Sequence, residues 1–125
     1  MLEQEGYDFM AAAFEVYNEV GYGLAEEVYQ QCLEVEPELR RIPYRTQCGL
    51  QLAYKGRRIP KVYVPDLFVF DALVVELKAV QELISDHEAQ LFNYMRIARQ
   101  PVGYLVSFGR KGGVQWKRLI LSDLK

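Results

Sequence analysis

At 125 residues, half of them apolar or aromatic, the chain has room for one domain with a core of ordinary size and none for a second. A formal net charge of −2 argues against a protein that holds nucleic acid by bulk electrostatics alone. No long apolar run, fixed-period repeat or Pro- or Ser-rich linker occurs, so the composition excludes a membrane-spanning helix and a repeat array and predicts a chain that is globular throughout.

The first predicted element is a helix over residues 3 to about 20, with Phe9, Ala13, Val16 and Val20 at helical spacing and Gly21 and Gly23 to stop it. It opens on Glu3, Glu5 and Asp8 with no basic segment before them, the opposite of a signal or transit peptide. A soluble, cytoplasmic protein is expected. A second helix starts near Leu24, because Leu24, Val28, Cys32, Val35 and Leu39 fall within about 80° of one another at 100° per residue, which predicts that stripe as its buried face. Pro37 predicts that the helix kinks there, or ends near Glu36 and restarts. Cys32 lies in the stripe, and nothing points to secretion, so Cys32 and Cys48 are expected as reduced, buried or half-buried thiols.

From Tyr44 the period becomes alternating, with Cys48, Leu50, Leu52 and Tyr54 opposite Gln47, Gly49, Gln51 and Ala53, as in a strand. Lys55 to Arg58 supplies a turn with a glycine, and a β-rich run from Lys61 to Phe70 follows. A short turn at Asp71-Ala72 leads to a strand from Leu73 to Ala79, making three antiparallel strands in succession. Ser85 and Glu88 have the spacing of a capping box, placing a helix from Ser85 to about Arg99, which Gln100-Pro101 closes. Val102 to Phe108 reads as a buried strand and Val114 to Leu121 as a last, alternating one. The order ααβββαββ is an α+β pattern.

Chemistry concentrates at the hairpin around Asp71. Residues two apart in a strand share a face, so Glu76 and Lys78 point together with Val74, while Leu73, Val75 and Leu77 point the other way. If the hairpin centres on residue 71, Asp66 lies across from Glu76, with Cβ atoms about 5 Å apart. Two carboxylates that close repel unless a cation, a shared proton or a basic neighbour offsets them. A hard divalent ion such as Mg²⁺ takes two carboxylates plus a backbone carbonyl readily, can lower the pKa of a bound water, and leaves Lys78 to orient that water for phosphodiester hydrolysis.

The residues Pro65-Asp66 and Glu76-Leu77-Lys78 resemble the signature of the PD-(D/E)xK nuclease superfamily, in the strand-hairpin setting that signature requires. Gln90 to Tyr94 resembles the Q-x-x-x-Y element of RecB-type nucleases, and Gly23 to Tyr29 reads as G-x-x-E-x-x-Y, the pattern of a small bacterial family assigned to the same superfamily. The resemblance implies a restriction-endonuclease-like core, αβββαβ, with a central mixed sheet flanked by helices, an extra N-terminal helix and an extra C-terminal strand. It implies Asp66, Glu76 and the Leu77 carbonyl as ligands of Mg²⁺ or Mn²⁺. Glu26, about 160° from the apolar stripe, becomes a third carboxylate, with both faces of its helix covered, one by the first helix and one by the sheet. Lys78 stands beside the attacking water, and Gln90 and Tyr94 contact substrate. His87 is expected as a helix-end or packing residue.

The N-terminal third carries ten acidic side chains and no Lys or Arg, whereas residues 40–125 carry fifteen basic and seven acidic ones. That asymmetry reads either as a basic surface able to neutralise phosphates or as two solvated faces that offset each other. Lys55, Arg57, Arg58 and Lys61 cluster at the first hairpin. Three functions are therefore carried forward. The first is a nuclease acting on DNA or RNA, with DNA preferred as partner. The second is a non-catalytic module that keeps the fold, and the third is a homodimer associating through an apolar surface with Tyr104 or Trp116.

Overall fold

The computed structural model describes residues 1–122. The first helix, α1 (Glu3–Val20), buries Phe9, Met10, Ala12, Ala13 and Val16 and ends on Gly21, whose φ of 76° requires the left-handed region that glycine enters freely. Val20, expected inside, is solvent-exposed. Helix α2 (Glu26–Leu39) runs through Pro37, which sits two residues before its end. The helix neither ends at Glu36 nor restarts. This far along, the missing N–H costs a single bond of the last turn, and the Pro37 carbonyl accepts from Ile42 N–H at 2.8 Å.

The buried face of α2 is not the predicted stripe. Tyr29, Leu33 and Pro37 are inside, while Leu24, Val28, Val35 and Leu39 are exposed and Cys32 is half-buried. The expectation that both faces of α2 are covered is thus met only in part. Tyr29 decides the orientation: its ring stacks on Phe108 at 4.5 Å, and its hydroxyl donates to the Gly21 carbonyl at 2.7 Å. One aromatic with a satisfied polar tip outweighs several aliphatics left at the rim.

The strand expected over Tyr44–Tyr54 is broken in three. Strand β1 (Tyr44–Arg45) joins the main sheet, Gln47 then turns the chain at φ 59°, Leu50 makes an isolated bridge to Tyr63, and β2 (Ala53–Tyr54) pairs with β3 (Arg57–Arg58) as a separate hairpin. Of the run from Lys61 to Phe70, only β4 (Leu67–Val69) lies in a strand. Pro60 and Pro65 carry no N–H, so a continuous ladder cannot cross them. Strand β5 (Leu73–Lys78) pairs antiparallel with β4 in the register Leu67↔Val75, Phe68↔Val74 and Val69↔Leu73, centred on Asp71 as expected.

Helix α3 (Ser85–Ala98) carries the chain over the sheet to β6 (Val102–Ser107), which lies parallel to β5, and β7 (Gln115–Ile120) returns antiparallel to β6. The five-stranded sheet, in the order β1-β4-β5-β6-β7, is mixed. Ser85 begins α3 but does not cap it. The Ile84 N–H donates to His87 Nδ1 at 3.0 Å, and Glu88 is drawn away to Lys117, which makes His87 the helix-end residue expected of it.

Two cores result. On one face α1 and α2 bury Phe9, Tyr29 and Leu33 against Leu73, Val75, Leu77 and Val106; on the other α3 buries Leu91 and Met95 against Phe68, Val74 and Leu105. Tyr104 is 3 % exposed, edge-on to Phe9 with Trp116 stacked outside it, so of the two aromatics expected at a surface only Trp116 reaches one. Among the described residues no helix is long and apolar enough to cross a membrane. Cys32 and Cys48 are free, half-buried, and packed against opposite faces of the sheet.

The end of β5 is clamped to the end of β6. Ser107 Oγ accepts from Val80 N–H at 3.1 Å and donates to Val80 O at 2.7 Å, and Phe108 N–H donates to Lys78 O at 3.0 Å. A Cβ on Gly109 would lie 2.5 Å from the Val80 backbone. Gly109→Ala is therefore expected to cost about 2–3 kcal/mol and to lower Tm by roughly 10 °C in thermal denaturation. An unchanged Tm would show that the clamp gives way freely.

Candidate active site

The β4–β5 ladder stops where its chemistry begins. One residue beyond the last backbone pair, the side chains take over. Asp66 N–H donates to Glu76 Oε1 at 2.9 Å, and Leu77 N–H donates to Asp66 Oδ2 at 2.7 Å. Each carboxylate thus satisfies an amide of the opposite strand, as the backbone needs at a buried ladder end, and the exchange holds both acids at one spot. Among the described residues the second oxygen of each has no hydrogen-bond partner.

Burial sets the electrostatics. Glu76 is only 5 % exposed. Removal from water, and then the charge of Asp66, push its carboxyl from 4.5 up to about 8, against the pull of the Asp66 N–H and Lys78. Asp66 is also raised, by burial first, while the Leu77 N–H and Lys78 act the other way. Glu26, on the first turn of α2, raises both. It lies on the Tyr29–Leu33 side of the helix, the side turned toward the sheet. Glu26 also lines a recess of about 370 Å³ with Gln30, Gln47, Pro65 and Asp66.

Lys78 faces α3. Its Nζ donates to Gln90 Oε1 at 3.1 Å, and Gln90 Nε2 donates to the Tyr94 hydroxyl at 3.1 Å. Burial, followed by the charge of Glu76, raises the Tyr94 hydroxyl above its ordinary value. The residues picked from the sequence therefore form a line. Asp66 and Glu76 meet at one end, Glu26 stands near enough for its charge to be felt, and Lys78, Gln90 and Tyr94 follow in contact. Among the described residues no three His, Cys, Asp or Glu side chains converge into a ready-made ion cage; the close pair is Asp66 with Glu76.

A family model for the PD-(D/E)XK nuclease superfamily matches residues 3–119, nearly the whole chain. The chain belongs to this superfamily. No curated protein and no solved structure gives a significant match. For a PD-(D/E)XK nuclease, three helices about a mixed five-stranded sheet is the consistent fold, and the superfamily generally works with divalent metal ions. The donor set here fits such an ion. Two carboxylates are held together, Glu76 buried and Asp66 half-buried, and their ionised forms are penalised by burial first and by neighbouring negative charge after it, a penalty that a hard divalent ion would offset.

Two residues that touch this cluster escaped the sequence reading. Gln30 Nε2 donates to Asp66 O at 2.9 Å and braces the strand end from α2. Its signal was its place one turn after Glu26. Tyr63 sets its ring 5.9 Å from that of Tyr94; it gave no signal, because only the bend of the chain between β1 and β4 brings it to α3.

Proposed function

We propose that this protein is a nuclease that hydrolyses phosphodiester bonds, of DNA before RNA, with Asp66, Glu76 and the Leu77 carbonyl as ligands of Mg²⁺ or Mn²⁺. Glu26 adds the third carboxylate. The observation that carries this reading is the reciprocal hold of Asp66 and Glu76 on each other's strand, which fixes a buried and a half-buried acid together with an oxygen to spare on each. When bound, the ion supplies a water of lowered pKa and neutralises charge on the phosphoryl oxygens. Lys78, its Nζ held by Gln90, would orient that water toward the scissile phosphorus and, as a cation, favour release of its proton to solvent. Gln90 and Tyr94 hold the substrate, and the contact of Gln90 with both Lys78 and Tyr94 couples its placement to the lysine's. The rival reading is a non-catalytic module that keeps the nuclease fold.

Incubation with single- and double-stranded DNA and with RNA, in Mg²⁺, Mn²⁺ or chelator, separates the two. Metal-dependent cleavage is expected, and Lys78→Met is expected to lower kcat by about 10²-fold or more while calorimetric metal binding persists. Absence of metal-dependent heat, together with absence of cleavage of every polymer, would leave the non-catalytic module.

A further inference from the structure

The β2–β3 hairpin and the segment after it stand apart from the main sheet and carry an unusual surface. Leu52, Tyr54, Val62 and Tyr63 are exposed there among Lys55, Arg57, Arg58 and Lys61. Among the described residues none of these four cations has a carboxylate partner, whereas Arg40, Arg45, Arg110 and Lys117 each do. Lys55 and Lys61 instead sit over tyrosine rings, 5.6 Å from the centre of Tyr54 and 5.7 Å from that of Tyr63. In a chain of net charge −2, four unneutralised cations on one flap are a local exception.

That flap and α3 bound a groove of about 740 Å³, with Leu52 and Tyr63 on one wall and Gln90, Asn93, Tyr94 and Ile97 on the other. Asp86 also borders it. The groove opens onto the site by an unbroken series of contacts. Lys78 meets Gln90, Gln90 meets Tyr94, the Tyr94 ring lies 5.9 Å from Tyr63, and Tyr63 lies under Lys61. The apolar and aromatic lining offers ring faces, Arg96 and Lys61 over Tyr63 offer positive charge, and Gln90 links the groove to Lys78 beside the carboxylates.

We infer that this groove binds an unpaired nucleic-acid strand and feeds it to the site, with a base against Tyr63 and the phosphates along Arg57, Arg58 and Lys61. The inference deepens the nuclease reading and rests on it for the class of polymer. Stacking on tyrosine requires a free base face, which a duplex keeps inside its own stack, and it tolerates any base. The flap cations reach backbone phosphates without reading sequence. The substrate so defined is a single-stranded segment, an overhang or a frayed end, cut with little sequence preference.

Fluorescence anisotropy in chelator measures binding without hydrolysis, so it stands whether or not the chain cleaves. The probes are a labelled 12-mer of oligodeoxythymidine, the same length of oligouridine, and a 12-base-pair duplex. At least one single strand is expected to bind about ten-fold or more tighter than the duplex, and the DNA and RNA arms identify which polymer the groove prefers. Tyr63→Leu, which keeps apolar bulk but no ring, is expected to weaken binding about ten-fold, and Tyr63→Phe to leave it within about two-fold. Arg57→Ala with Arg58→Ala, both on the exposed hairpin, should reduce the salt slope by about 1.4, whereas Lys111→Ala should not change it. Duplex bound as well as either single strand, or indifference to both the Tyr63 and the Arg57/Arg58 changes, would overturn the inference. Binding with these properties but no metal-dependent cleavage would sink the nuclease reading and leave the groove standing.

Discussion

Glu76→Gln is expected to stabilise the metal-free protein at pH 9 and to abolish the proposed hydrolytic activity in the same step. Burial and the neighbouring Asp66 charge raise Glu76 from 4.5 to about 8. Between those values the folded chain keeps a proton that the unfolded chain has released. Stability from this group is therefore fully present below pH 4.5 and is lost as the pH rises to about 8. The loss is on the order of 3–5 kcal/mol, or roughly 10 °C or more in Tm. Glutamine is neutral throughout, and its amide oxygen can still accept the Asp66 N–H, so the variant should lack this slope. Thermal denaturation of both proteins at pH 5 and pH 9 measures the difference directly. Near-equal Tm values are expected at pH 5, with the variant well above the wild type at pH 9. Mg²⁺ at pH 9 should close the gap by stabilising the wild type alone, since only an ionised Glu76 offers a ligand. Parallel pH curves for the two proteins would mean that Glu76 ionises as freely as an exposed acid.

Asp66 offers the complementary separation of structure from chemistry, because one of its oxygens serves the fold and the other does not. Oδ2 accepts the Leu77 N–H at 2.7 Å, at a strand otherwise buried. Asp66→Ala removes that acceptor and is expected to cost about 1–3 kcal/mol for the orphaned amide. Asp66→Asn keeps an acceptor in place and should fold with a Tm close to wild type. Both should lose cleavage by about 10³-fold or more, and both should lose calorimetric metal binding. The pair therefore tells a ligand from a strand cap. Retention of metal affinity by Asp66→Asn would remove Asp66 from the metal site while leaving its structural role intact.

The hairpin at the centre of the site was legible because a strand has a strict two-residue period. Val74, Glu76 and Lys78 had to share a face, and a turn centred on Asp71 had to set Asp66 against Glu76, so two carboxylates and a lysine could be placed together before any packing was known. Gln90 and Tyr94 were singled out by resemblance to the Q-x-x-x-Y element, and their i, i+4 spacing put them on one helix face. The flanking elements were harder. The stripe from Leu24 to Leu39 groups the apolar residues on one side of α2 but leaves out Leu33 and misjudges the helix's orientation, because Tyr29 packs on Phe108, a residue 79 positions later in the chain. The same rotation turns Glu26 toward the sheet. The broken strand between Tyr44 and Tyr54 failed for a different reason: alternation marks which side chains share a face, but it does not supply a partner strand, and Pro60 and Pro65 deny one.

The local periods of the sequence by themselves determined the order of elements, the β4–β5 register, and the convergence of Asp66, Glu76 and Lys78, since each depends on neighbours within about a dozen residues. Only the tertiary structure decided how deeply Glu76 is buried, which side of α2 meets the sheet, that Gln90 rather than an acid receives Lys78, and that Tyr63 on the flap faces Tyr94 on α3. Those are contacts between segments far apart in the chain. They are set by which surfaces exclude water most effectively once the sheet closes, a competition that no local period records.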